Sequence, residues 1–315
     1  MDKFMRALEN HDVTSLQEVP KSDVHNHAGR GGNILDLSSD INPPSKPFDS
    51  LNHMQVWFEE EVKTRIPAGL EGFMFRVEAS FKQAKRDNID RLALSFCYGD
   101  IVNLGGMEKF KVFIESLKQR YIPQAEFIPE FTLLRSIVSD EEIEKAKEIL
   151  SFDYFKSIDI CGNESAGTLD GYVDLYRFAK SRKVQLKTHV GEFGSAEDVM
   201  RAVDLLELDE VHHGIAAANS KACMKYLRDH KVILNVCPMS NILLKRANGY
   251  PSHPIKGLID AGVQVTINTD DLTIFNASVS QEYLNLYDHK VFTAEELNLI
   301  RVNGLNAYGK YDGHR

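Results

Sequence analysis

A chain of 315 residues has material for a large core, and α/β barrels reach this size as one domain. Lys and Arg number 37 against 46 Asp and Glu, a formal charge of −9, which argues against nucleic acid or an anionic membrane as partner because phosphate binding rests on Lys/Arg neutralisation. The 4 cysteines, Cys97, Cys161, Cys223 and Cys237, form no CxxC pair, which suits a reducing compartment and speaks against a thiolate zinc site or a disulfide framework.

The N-terminus Met1-Asp2-Lys3-Phe4-Met5-Arg6 carries no apolar run of signal-peptide type, and no apolar stretch is long enough to span a bilayer. A soluble, cytoplasmic protein is expected, monomeric or a small homo-oligomer. Residues 1–20 read as a short amphipathic cap helix with Phe4, Met5 and Leu8 on its apolar side. After Pro20-Lys21 a strand is expected through Asp23-Val24-His25-Asn26-His27, ending in the loop Ala28-Gly29-Arg30-Gly31-Gly32. Two histidines at i and i+2 share one face of a strand, which is the geometry for two nitrogens on one metal ion. Residues 28–50 are irregular, with Pro43, Pro44 and Pro47, and 51–65 show helical apolar spacing at Leu51, Met54, Trp57, Phe58 and Val62. That spacing reads as core packing or as a lid over a ligand, and 28–70 as an insertion after the first strand.

From residue 70 helices and strands alternate. Helical stretches at 70–88, 107–120, 139–150, 169–182, 195–206, 219–229 and 254–261 lead in turn to strands at 90–98, 125–134, 157–161, 184–189, 210–213, 232–237 and 263–269, and a helical tail covers 278–309. Eight strands, each followed by helix, predict a single α/β domain over 1–315, a (β/α)8 TIM-type barrel with extra N-terminal and lid helices. No GxGxxG opens a helix, which argues against an open doubly wound sheet.

In such a barrel chemistry gathers where strands end. Those ends read His25-Asn26-His27, Thr188-His189-Val190-Gly191-Glu192, His212-His213-Gly214 and Asn268-Thr269-Asp270-Asp271. Three imidazoles and a carboxylate, His25, His27, His189 and Asp270, suit one divalent metal ion, zinc above others, with a water at an open position. Glu192 and His213 are then free for proton work. One ion is expected, because the fourth strand ends in Asp159-Ile160-Cys161-Gly162-Asn163 without a bridging Lys or carboxylate, and Glu164 lies beyond it. Blander readings stand beside these: His213 as a buried histidine bonded to backbone, Glu192 as a helix first-turn residue, Asp271 as a helix N-cap. His212 alternates to the opposite face, where helix packing or solvent is expected for it.

Together the His-x-His, Thr188-His189-Val190-Gly191-Glu192, His213-Gly214, Cys237-Pro238-Met239-Ser240-Asn241 and Asn268-Thr269-Asp270-Asp271 resemble the adenosine deaminase family of metal-dependent hydrolases, from about residue 20 to residue 310. The resemblance implies hydrolytic deamination at purine C6, on adenosine or a related 6-aminopurine nucleoside. It assigns His25, His27, His189 and Asp270 to zinc, Glu192 to protonating N1, and His213 to orienting or deprotonating the attacking water. It also assigns Asp271 to N7, the Gly162 N–H to N3, and the 51–65 helix with Trp57 and Phe58 to a lid over the base.

The pattern departs in places. Where the family has Leu, then Asp or Glu, then Gly after the His-x-His, this chain has Ala28, Gly29 and Arg30. Gly29 cannot bond a ribose 5′-hydroxyl as the family's acid does, and Arg30 is expected either to face an anionic 5′ substituent or to lie in a solvated loop. Free adenine, an adenine nucleotide or a modified purine nucleoside are therefore alternative substrates. A different metal-dependent barrel hydrolase and a zinc-stabilised binding protein are the remaining alternatives.

Overall fold

The computed structural model describes residues 2–136 and 139–306. Eight strands form one parallel sheet in chain order. They are β1 (Lys21–Asp23), β2 (Ile89–Cys97), β3 (Glu126–Leu134), β4 (Ser157–Cys161), β5 (Gln185–Val190), β6 (Glu210–His213), β7 (Ile233–Val236) and β8 (Gln264–Ile267). The seam between β8 and β1 is drawn together by an isolated bridge between Asn26 and Asp270. There the Asp270 N–H donates to the His25 carbonyl at 2.9 Å and the Val24 N–H to Asn268 Oδ1 at 2.8 Å. The expected α/β barrel is therefore what forms.

Local chemistry explains the alternation. The strands are continuous buried runs, as a parallel sheet covered on its outer face requires. Most of the outer helices are amphipathic, and several start at side-chain caps. Ser195 opens Ala196–Leu206 with a capping box closed by Asp198, and Ser220 opens Lys221–His230. One continuous apolar cluster joins the helix faces to the outer strand faces, with Phe81, Phe96, Phe110 and Phe131 fully buried in it.

Several boundaries differ from expectation. The regular part of β1 stops at Asp23, not His27; beyond it the chain keeps strand-like pairing only through single bridges, His27 to Ser95 and Asn26 to Asp270. The N-terminal cap is two helices, Lys3–Glu9 and Val13–Gln17, broken at His11, whose φ of +54° is left-handed. Its Phe4 packs edge-on against Tyr283 at 5.1 Å. An unexpected helix, Tyr98–Asn103, follows β2. The insertion after β1 folds as helices Ile34–Leu37 and Leu51–Trp57, the second continuing as a π-turn, Phe58–Val62, and a 3-10 turn, Lys63–Arg65. It has its own apolar cluster, in which Ile34, Phe48, Met54 and Phe58 meet Ile274 and Phe275. The helical tail is two helices, Val279–Asp288 and Ala294–Asn306; positions 307–309 of the expected tail, like Met1 of the cap, lie outside the described residues. Among the described residues no helix is long and apolar enough to cross a membrane.

The barrel interior is polar beneath its C-terminal mouth. Lys187 on β5 lies 3.0 Å from Glu130 on β3 and 3.5 Å from Glu210 on β6, all three out of solvent. Asn235 on β7 donates to Glu210 at 2.7 Å and accepts from Thr266 on β8 at 2.7 Å. Ions this deep are tolerable only with their partners in place. This layer forms a floor of fixed hydrogen bonds under the mouth.

Candidate active site

Three imidazoles converge at the mouth with their orientations set from behind. His25 Nδ1 is 3.1 Å from the Asn235 carbonyl, which can only accept, so that nitrogen carries the proton and Nε2 bears a lone pair. His189 Nδ1 lies 3.0 Å from both oxygens of Asp159, so its Nε2 bears a lone pair too. The two Nε2 atoms are 3.0 Å apart. Two acceptors at that distance repel unless a cation shares them. His27 joins them, its Nδ1 held at 2.7 Å by the Ser95 hydroxyl, and its ligand nitrogen lies within 4.8 Å of the other two. Each ring is held through the nitrogen that would not bind metal, the arrangement that fixes metal-ligating histidines. The donor set fits a divalent ion of the zinc type.

Asp270 completes the cluster. Its Oδ1 is 3.3 Å from His27 Nε2 and 3.9 Å from His25 Nε2, and Ser240 donates to Oδ2 at 2.7 Å. Burial works against its ionisation, but the hydrogen bond from His27 and the neighbouring imidazoles hold its carboxyl below the usual range. Asp270 follows β8 at φ +59° and His213 ends β6 at φ +63°. Left-handed backbone at a non-glycine residue costs roughly 1 kcal/mol or more and persists only where the surroundings impose it.

The turn at His213 bears on a correction. His212, expected on the outer face, lies inside: in register with His189, buried, stacked on His25 at 4.0 Å and bonded to Glu130 at 3.2 Å. Alternation does separate His212 from His213, but His212 takes the inner face. His213 reaches the mouth because its left-handed φ breaks the strand, and its Nε2 comes within 3.6 Å of Glu192 and 3.8 Å of Asp270. Burial lowers its pKa to about 3, so its ring is neutral.

Glu192 lies in the loop after β5 with its side chain only 8% exposed, before the helix that starts at Ala196, so it is not a first-turn residue. Burial, with Asp270 and Glu164 adding negative charge, pushes its carboxyl well above the usual range. A carboxyl group whose acid form is favoured in this way is suited to proton donation. Glu164 has a part that the sequence did not reveal. Its carboxylate accepts the backbone N–H groups of Gly191, Glu192, Phe193 and Gly194 at 2.8, 2.8, 2.7 and 3.2 Å. It ties the loop carrying Glu192 to the end of β4. The sequence showed only its closeness to that strand end, since a carboxylate binding backbone leaves no spacing pattern.

The remaining residues spread around this centre. Asp271 is buried beside Asp270 and precedes the short helix Leu272–Phe275 without capping it by its side chain. Arg30 is not in a freely solvated loop: it pairs with Asp271 Oδ2 at 2.9 Å, donates to Gln55 on the lid and lies 4.5 Å over the Phe58 ring. Phe58 is buried, whereas Trp57 is half-buried and meets Phe48 within the lid. Gly162 follows β4, exposed at φ +94°, a conformation that favours glycine.

A family model, adenosine deaminase, matches residues 131–309. A putative adenosine/adenine deaminase of Treponema pallidum is 30% identical over 314 residues, covering 94% of this chain and 100% of that protein. The chain belongs to the adenosine deaminase family. The adenosine deaminase of Clostridium acetobutylicum is 36% identical over 151 residues, which span 48% of this chain and 45% of that protein. Solved structures share the fold of this adenosine deaminase family chain at low identity. An adenine deaminase from Arthrobacter aurescens superposes with a TM-score of 0.79 at 18% identity, covering 93% of this chain and 94% of that one. An Arabidopsis N6-mAMP deaminase superposes at 0.77 and 16%, covering 94% and 95%. A zinc-bound amidohydrolase from Burkholderia ambifaria superposes at 0.75 and 17%, covering 97% and 88%.

Proposed function

We propose that this chain is a zinc-dependent aminohydrolase that exchanges the 6-amino group of an adenine-type purine for oxygen and releases ammonia, with adenosine or a related nucleoside as substrate. The observation that carries the reading is the geometry: the Glu192 carboxyl, whose burial favours its acid form, faces the same small space as three converging imidazoles and Asp270. His25, His27, His189 and Asp270 would hold the ion, which when bound supplies a water acidified to a pKa of about 7. Attack at C6 pushes electrons onto N1, and Glu192 meets them with its proton. His213, neutral and 3.6 Å from Glu192, lies beside the entering oxygen. Asp271 and the Gly162 N–H take the imidazole and N3 edges of the ring, and Arg30 and Phe58 close the lid side. In this reading the chain is one soluble, cytoplasmic domain over 1–315 with a small-molecule partner.

One observation favours a nucleotide as the alternative substrate. A Cβ at Gly29 would lie 3.8 Å from the Arg76 guanidinium, which is anchored by its Nε donating to the Gly29 carbonyl at 2.9 Å. A cation thus stands where the resemblance expects a hydroxyl-binding acid. The test is ammonia release and loss of adenine-band absorbance by the zinc-loaded protein on adenosine, adenine, AMP and N6-methyl-AMP. Turnover of at least one is expected; none with any 6-aminopurine overturns the reading.

A further inference from the structure

Behind the mouth lies a run of hydrogen bonds whose direction can be worked out from one end. It starts at a backbone N–H, which can only donate. The Ile255 N–H meets His253 Nδ1 at 3.1 Å, so that nitrogen accepts and the proton of the neutral ring sits on Nε2. His253 Nε2 is 3.3 Å from Asn241 Oδ1, which therefore accepts. This fixes the amide's orientation. Its Nδ2 lies 3.2 Å from His213 Nδ1 and 3.4 Å from Glu192 Oε1, one hydrogen for each. Asn241 is fully buried and His253 nearly so, and no step of the run depends on solvent. Because His213 Nδ1 accepts, the ring's own proton is on Nε2, the nitrogen that faces Glu192 and Asp270.

We infer that Asn241 and His253 are positioning residues that lock His213 as its Nε2–H tautomer, so that His213 meets the entering oxygen as a hydrogen-bond donor and not as its base. A second proton on His213 Nδ1 would point at the Asn241 NH2, donor against donor. The same amide holds Glu192 by one oxygen and leaves the other for the reacting space. Asn241 comes from the helix Pro238–Leu243, which also supplies Ser240 to Asp270, so one short helix sets the orientation of three mouth residues.

The catalytic consequence rests on the proposed deamination, but the tautomer does not, so the two are tested apart. In protein labelled with 15N-histidine, metal-free and zinc-loaded, long-range 1H–15N spectra should show His213 and His253 each with an unprotonated Nδ1 and a protonated Nε2. Loss of one set of signals in His253→Gln assigns them. In Asn241→Asp the side chain can only accept, so His213 should turn to Nδ1–H. On any substrate the wild type turns over, kcat of Asn241→Asp should then fall about 100-fold with KM unchanged. His253→Leu, which frees the amide to flip, should lose roughly 10-fold, and His253→Gln, which keeps a donor toward Asn241, should recover most of that. A protonated His213 Nδ1 in the wild type overturns the inference, as does an Asn241→Asp enzyme with wild-type kcat or with a loss confined to KM. If Asn241→Asp does not fold, the wild-type spectrum decides alone, and it does so even for a protein that deaminates nothing.

Discussion

Glu164→Gln tests whether the Glu192 loop is held in place by one carboxylate. The replacement keeps shape and length but turns one of two acceptor oxygens into an NH2. Oε1 serves Glu192 and Phe193, and Oε2 serves Gly191 and Gly194. The amide can keep one of these pairs, while the other two N–H groups face a donor. Losing two charge-assisted bonds at about 1.5 kcal/mol each, the lower end because Glu164 is partly exposed, costs about 3 kcal/mol. For a chain of this size that is a Tm fall of roughly 4–8 °C. Glu192 sits on the loosened segment, and a displacement near 1 Å at a reacting group can cost about 100-fold in rate. Differential scanning fluorimetry and steady-state kinetics read both numbers from one preparation. A variant within 1 °C of wild type and with unchanged kcat would refute the claim that this carboxylate holds the loop.

Glu192→Gln, which keeps volume but has no acidic proton, should lower kcat by about 100-fold or more while binding zinc as the wild type does; equal loss of zinc would make its effect structural. Dialysis against a chelator should abolish turnover and lower Tm, and added zinc should restore both, since an ion at 100 times its Kd contributes about 2.7 kcal/mol; a Tm indifferent to chelation would count against the imidazole cluster as a metal site. Arg30→Ala should reduce kcat/KM on adenosine and AMP alike because its charge is committed to Asp271, whereas Arg76→Ala should reduce it on AMP more than on adenosine; the reverse pattern in paired kinetics would return Arg30 to the anion role. Burial pushes the Glu282 carboxyl up to about 8, against hydrogen bonds from Tyr250 and the Met239 N–H. From its ordinary 4.5 to about 8 the unfolded chain gives up a proton that the folded one keeps, so wild-type stability falls as pH rises through that window. Glu282→Gln should lack that slope and gain on wild type between pH 5 and 8; parallel Tm curves would show that Glu282 does not titrate there.

The sequence made the barrel legible because each strand is a short buried run between amphipathic helices, and that pattern survives without any contact information. It also gathered His25, His27, His189 and Asp270 at strand ends, since position in the repeat is position in space. Where it failed, the backbone had left its regular form. Strand alternation separates His212 from His213 but gives no phase: His212 takes the inner face, and the left-handed φ at His213 turns that residue toward the mouth as well. Arg30 was read from a loop whose path depends on the lid, so its pairing with Asp271 and its place over Phe58 had no local sign. Glu164, Asn241 and His253 act through backbone groups or amide geometry, which carry no periodicity. The break in the N-terminal helix at His11 has the same origin as the change at His213: a single dihedral that composition does not report.

The seam of the barrel is also where the proposed chemistry sits. His25 and His27 lie beside the first strand, and Asp270 beside the last, bridged to Asn26. During synthesis the two histidines leave the ribosome before β2 to β8 are made and must wait for all of them before their carboxylate partner arrives. The proposed ion site cannot be completed until Asp270 has been made, so a nascent chain that stops short of β8 lacks one of its four proposed ligands.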